Sequence, residues 1–178
     1  EEKYQKAKEL ASQGEYGKAA IAFAKLDGYK DARDCSFNMW KHVPGRHTIS
    51  MNFGDVFAIR NDGTVVGDSG AYDKNGSLFN SSEIEGLKDI VSVCGRMFLR
   101  FDGTVYVSPD VFSKTVYETI SGWTDIVSLS YDTWNETFMG LKADGSVVAV
   151  SSNPKVVCNL EHWSEIVAIA NSNEIAVK

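Results

Sequence analysis

Residues 123–150 contain Trp123-Thr124-Asp125-Ile126-Val127-Ser128-Leu129 and, after a short insert, Gly140-Leu141-Lys142-Ala143-Asp144-Gly145-Ser146-Val147-Val148-Ala149-Val150. Two strand-like runs face each other across this stretch, and Asp144-Gly145 separates the second from a third. Asp-Gly is a favoured two-residue hairpin turn, because both residues accept positive φ at low cost. The runs are rich in Val and Ile, which suit a half-buried pleated surface. The stretch therefore reads as a small antiparallel meander.

The same pattern occurs elsewhere in the chain. Asp62-Gly63-Thr64-Val65, Asp102-Gly103-Thr104-Val105 and Asp144-Gly145-Ser146-Val147 are spaced 40 and 42 residues apart. Each follows an apolar residue, a basic residue and a spacer: Ile59-Arg60-Asn61, Leu99-Arg100-Phe101 and Leu141-Lys142-Ala143. A second signature runs in phase with the first. It reads Asp89-Ile90-Val91-Ser92-Val93, Asp125-Ile126-Val127-Ser128-Leu129 and Glu165-Ile166-Val167-Ala168-Ile169, at spacings of 36 and 40. Leu87, Trp123 and Trp163 stand two residues ahead of its acidic position. Two in-phase signatures mean one supersecondary unit used repeatedly. Units fall at about 47–86, 87–122 and 123–162, with a half unit at 163–178. The reading is mainly β: about 3.5 compact units, expected to be four-stranded and arranged as a partial propeller. The variable segments 67–86, 108–121 and 151–161 are expected to hold the weaker outer strands.

The repeat resembles the compact bacterial form of the regulator of chromosome condensation-like repeat, the propeller repeat of a beta-lactamase inhibitory protein. The family pattern is similar to Trp-Thr-Asp-Ile-Val-x-Ile followed by Gly-Leu-Lys-x-Asp-Gly-Thr-Val-x-Ala. The resemblance covers residues 46–178 and implies a propeller; its family includes a beta-lactamase inhibitory protein and nucleotide-exchange factors for small GTPases. Their in-phase positions give Asp62, Gly63, Asp102, Gly103, Asp144 and Gly145 a structural role as turns, and Leu87, Trp123 and Trp163 one as packing between units. The family's propellers have about seven blades, so open sheet edges are expected. Three ways of satisfying them follow: a longer protein, a homodimer through the open edges, or helices capping the arc.

The first forty residues have a different period. Ala7, Leu10 and Ala11, then Tyr16, Ala19, Ala20, Phe23 and Leu26, fall at helical spacing. Three short helices are expected at about 2–12, 15–26 and 30–41, with Pro44-Gly45 as the stop. Gly14, Tyr16, Ala19, Phe23 and Leu26 resemble the turn pattern of one tetratricopeptide-type helical hairpin. Gly28-Tyr29-Lys30-Asp31-Ala32 resembles a continuation found in bacterial surface and envelope proteins. One hairpin cannot bury a solenoid core alone, so residues 1–43 are expected to lean on the strand-rich part.

Composition narrows the function. Lys+Arg is 18 against Asp+Glu 24, a formal charge of −6. General nucleic-acid and anionic-membrane binding need a basic patch and are disfavoured. No apolar run approaches the roughly 20 residues of a membrane span. The sequence opens Glu1-Glu2 rather than Met, which leaves a leader or anchor upstream open. Cys35, Cys94 and Cys158 are too scattered for a disulfide or zinc framework and read as small buried hydrophobes. Cys158 and His162 are a lone pair, and Asp68, Asp73 and Asn75 lack the terminal Glu of a calcium loop. Asp89, Asp125 and Glu165 are expected to bond nearby backbone N–H groups. Asn80 and Asn135 head glycosylation sequons. No nucleophile elbow or phosphate loop is present.

The third unit carries an insert. Ile90 lies 12 residues before Asp102, but Ile126 lies 18 before Asp144. The extra residues include Tyr131, Trp134 and Asn135, which are the candidate interface, since aromatics on a held loop are what interfaces use as anchors. The expectation is a non-enzymatic protein-binding module without cofactor or metal, extracellular or in the cell envelope, with the cytoplasm as alternative. The competing expectation is a propeller domain that binds, or hydrolyses, a carbohydrate or small ligand.

Overall fold

In a computed structural model the residues described are 1–52, 55–69, 84, 86–107, 112–156, 159–160, 162–169 and 176–177. Three helices come first: α1 (Glu2–Ser12), α2 (Tyr16–Ala24) and α3 (Ala32–Trp40). They match the expected spans within two residues. Ala7, Ala19, Ala20 and Ala32 are fully buried, so the helices pack closely at small side chains. Tyr4 and Phe23 meet edge-on at 5.5 Å within that seam.

The rest is mainly strand. Three three-stranded antiparallel sheets follow in chain order. The first holds β1 (Ile49–Asn52), β2 (Asp55–Ile59) and β3 (Val65–Ser69). The second holds β4 (Ile90–Cys94), β5 (Met97–Arg100) and β6 (Val105–Val107). The third holds β7 (Ile126–Asp132), β8 (Thr137–Lys142) and β9 (Val147–Ser151). A two-stranded pair, β10 (Ala168–Ile169) and β11 (Ala176–Val177), ends the series. Among the described residues each full sheet has three strands, not the four expected. The segment between β6 and β7 instead contains a helix, α4 (Lys114–Ser121), whose cap Ser113 accepts from the Val116 N–H at 3.4 Å. Val116 and Ile120, one turn apart, are its buried residues. The helix wins because these two bury one stripe, where strand alternation would bury every second residue.

Each sheet's first hairpin turns at one side of the molecule and its Asp-Gly turn at the other. Both sides are held in common. On the Asp-Gly side, the N–H groups of Ile90, Ile126 and Ile166 donate to the carbonyls of Gly63, Gly103 and Gly145 at 3.0, 3.0 and 3.1 Å. The two sequence signatures therefore meet: the turn of one unit docks on the first strand of the next. On the hairpin side, Arg96 Nε bonds Asp55 Oδ2 at 2.5 Å, and the Gly95 N–H donates to Ser50 Oγ at 2.9 Å. Between them, Phe57 and Val65 of the first sheet share a core with Ile90, Val93 and Phe98 of the second.

Asp62, Asp102 and Asp144 shape their turns identically. One carboxylate oxygen accepts from the backbone N–H and hydroxyl of Thr64, Thr104 or Ser146, at 2.6 to 3.0 Å. Gly63, Gly103 and Gly145 take φ of 79°, 84° and 86°. Leu87 and Trp123 are buried and Trp163 half-buried. Their N–H groups donate to Ile84, Ile120 and Leu160 three residues back, at 3.0, 3.0 and 2.9 Å, a third recurring contact. Where this position holds Trp123, the facing strand has Gly140, whose Cβ position lies 3.1 Å from the indole. Where it holds Leu87, the equivalent residue is Phe98, so volume is conserved across the pair.

The helices lie along the Asp-Gly side. Ala20, Ile21, Ala24, Trp40 and Val43 belong to the same core as Ile126, Leu129 and Leu141. The fully buried Trp40 donates its indole N–H to the Phe101 carbonyl at 2.9 Å. The helices thus cover the strand ends rather than the outer face of the first sheet, which leaves Ile49, Met51 and Val56 exposed.

Candidate functional site

The insert in the third unit lengthens a hairpin. β7 and β8 stay in register out to Tyr131↔Phe138 and Asp132↔Thr137, beyond the reach of the corresponding β4–β5 pair. Residues 133–136 turn, with Glu136 at φ 48°. Asp132 organises the turn: one oxygen accepts from the Trp134 N–H at 2.9 Å and the other from Asn135 Nδ2 at 2.7 Å. This is an Asx turn, a side chain replacing a backbone acceptor.

The tip is braced from the neighbouring strand. Ser151 Oγ donates to the Asn135 carbonyl at 2.9 Å, and the Ser152 N–H to the Glu136 carbonyl at 3.1 Å. The Ser152 hydroxyl also donates to the Glu136 carboxylate. Beneath the tip, Tyr131 stacks on Phe138 at 4.6 Å and 14°, and Phe138 meets Phe112 edge-on at 4.9 Å. Burial, with Glu136 nearby, pushes the Tyr131 hydroxyl above its usual pKa.

Trp134 crowns this scaffold at 90% exposure. The three candidate residues are therefore together, but unlike in role. Trp134 is presented to solvent, Asn135 ties the turn, and Tyr131 is a half-buried support. Four of the large hydrophobic residues exposed in the described part, Ile49, Met51, Val56 and Trp134, lie on first hairpins. Met51 and Val56 pair beside the first hairpin's turn. The side opposite the helices thus carries exposed apolar groups.

Other expected residues resolve differently. Asp89, Asp125 and Glu165 all adopt left-handed backbone, at φ 63°, 58° and 58°. Their side chains do not bond local N–H groups among the described residues. Asp89 pairs with Arg33, and Asp125 with Lys25 at 3.2 Å. The helix layer supplies cations that sequence reading did not connect to this series. The turn-like backbone conformation tolerated by Asp was the available signal. Cys94 is buried, but Cys35 is only half-buried, because it lies at the rim of the α1–α3 seam. Burial pushes its thiol pKa up. Cys158, Asp73, Asn75 and Asn80 lie outside the described residues. The His42 ring meets that of Tyr16 at 5.0 Å, tilted by 34°. Among the described residues, no three His, Cys, Asp or Glu side chains cluster as a metal site would need, and no helix is long and apolar enough to cross a membrane. A polar groove of about 540 Å³ runs between α3 and the first Asp-Gly turn, with Arg33, Asn38 and Lys41 on one wall and Asp62 on the other.

Comparison of the chain with protein-family models, curated proteins and solved structures returns no match.

Proposed function

We propose that this chain is a non-enzymatic protein-binding module, its strand units forming consecutive blades of a partial propeller of the regulator of chromosome condensation-like type. The observation that carries the binding role is Trp134: a bare indole on a turn held by Asp132, Asn135 and the Ser151–Ser152 segment. A large aromatic on a preorganised loop loses little conformational entropy on docking, so its burial is converted efficiently into affinity. The in-phase interlocks between consecutive units support the blade reading. The helices, which resemble one tetratricopeptide-type hairpin, serve here as a layer over strand ends. A bacterial surface or envelope protein fits the resemblance of the Gly28–Ala32 stretch.

The test compares immobilised wild-type chain with Trp134→Ala for capture of proteins from the organism of origin, identified by mass spectrometry. A hot-spot indole is worth about 2 kcal/mol or more, roughly a thirtyfold affinity change. Loss of a captured species by a variant with an unchanged melting curve supports the reading. Identical capture removes the hairpin as the contact.

A further inference from the structure

The Asp-Gly side repeats a contact that its last member leaves uncovered. At the first junction between units, α3 places Phe37 over Gly63, its Cε1 3.3 Å from the Cβ position, and Arg33 on Asp89. At the second, α2 places Ile21 over Gly103, its Cδ1 2.9 Å from the Cβ position, while Lys25 reaches Asp125. In both pairs a basic and an apolar residue stand four apart on one face, Arg33 ahead of Phe37 on α3 but Ile21 ahead of Lys25 on α2. The apolar member covers the turn glycine and the basic member neutralises the acid that opens the next unit.

Among the described residues, the third junction has the same receptor parts without a helix over them. Gly145 is half-buried where Gly63 and Gly103 are buried, and the atoms nearest its Cβ position are backbone of Glu165 and Ile166. Glu165 is exposed, and among the described residues no cation pairs with it. The position after the repeated Ile shows the same break: Val91 in β4 is 1% exposed and Val127 in β7 7%, but Val167, just ahead of β10, is 56%. Beside it lies a groove of about 420 Å³ whose walls include Tyr16, Gly17, Val43, Pro44 and Val167. Lys142 also lines this groove. It is the repeat equivalent of Arg60 and Arg100, which stand at the other junctions without displacing Arg33 or Lys25. Lys18 is engaged by Glu15.

We infer that the third junction docks an α-helix of a partner protein bearing a basic residue and, four positions on, an apolar one. The basic group meets Glu165, and the apolar group covers Gly145 and Val167. The first two junctions define this chemistry, since each binds that pair with the same turn and acid. The pair runs cation first on α3 and apolar first on α2, and continuing this alternation puts the cation first on the docked helix.

The probe is a stapled helical peptide of about sixteen residues, Ala- and Gln-rich, with Arg at one position and Phe four later, labelled for fluorescence anisotropy. A control peptide has Glu in place of Arg. The Arg–Phe peptide binds the wild-type chain saturably. Glu165→Lys weakens it about tenfold or more, since an attraction becomes a repulsion. The Glu peptide recovers binding on Glu165→Lys, and Val167→Asp weakens both. Trp134→Ala changes nothing, because Trp134 lies on the opposite side. Both substituted positions at the junction are exposed, and thermal melts confirm that each variant is folded. The inference is overturned if the Arg–Phe peptide does not bind, if Glu165→Lys leaves its affinity unchanged, or if Trp134→Ala abolishes binding. None of these results bears on partner capture through Trp134.

Discussion

Gly103→Ala probes the interlock and the helix layer together. Gly103 is buried at φ 84°, and an added Cβ would stand 2.9 Å from Ile21 Cδ1 and 3.2 Å from Asp125 Cα. The left-handed conformation costs an L side chain about 1–2 kcal/mol. Crowding adds about 1–3 kcal/mol, because Ile21 is itself 4% exposed and has nowhere to retreat. A loss of about 3 kcal/mol follows, or roughly 6–12 °C in Tm for a chain of this size. Ile21→Val removes the Cδ1 atom and alone costs about 0.5–1.5 kcal/mol. It also relieves part of the clash, so the double variant is less destabilised than the sum by about 1 kcal/mol. Gly145→Ala is the control: its nearest contacts are the backbone of Glu165 and Ile166, so its cost adds to that of Ile21→Val without coupling. Urea unfolding of all five variants, with m held common, gives the cycle. Additivity of Gly103→Ala with Ile21→Val would refute the argument that α2 seats directly on the second turn. A neutral Gly103→Ala would refute the interlock itself.

Two further outcomes are expected. The Arg96 and Asp55 side chains are 12% and 5% exposed, so Arg96→Met breaks a buried ion pair and costs about 3–5 kcal/mol; a loss below about 1 kcal/mol by urea unfolding would show that the pair does not staple the first sheet to the second. Hydrogen bonds from Thr64 and Ser146 hold the Asp62 and Asp144 carboxyls below their ordinary range. Depressed folded values stabilise above the unfolded pKa of about 3.9 and lose that contribution as pH falls through the folded value, so Asp62→Asn and Asp144→Asn flatten the loss of stability below about pH 4, and an unchanged acid limb contradicts the assignment.

The Asp-Gly turns were legible because their chemistry is local: two residues dictate the backbone, and the period repeats it. The three helices were legible because Ala7, Ala19, Phe23 and their neighbours recur at helical spacing. α4 was not, since Val116 and Ile120 supply only one apolar pair in eight residues and a repeat reading favours a strand there. Trp134 was legible as an inserted aromatic, but its separation from Tyr131 in role was not. That division depends on stacking with Phe138, across the hairpin. The pairing of Arg33 with Asp89 and of Lys25 with Asp125 joins residues 56 and 100 apart. No local pattern encodes such a distance.

Those separations also set an order of events when the chain is made from its N-terminus. α2 and α3, each nine residues long, emerge before any strand unit, and helices of that length are marginal in water. Their seats, the Phe101 carbonyl for Trp40 and Gly103 with Asp125 for α2, appear only after the second unit and the start of the third. The helical segment therefore waits, with Ile21, Phe37 and Trp40 available to chaperones, until about residue 126 has left the ribosome. A chain halted after the first unit has its helices and nothing to rest most of them on.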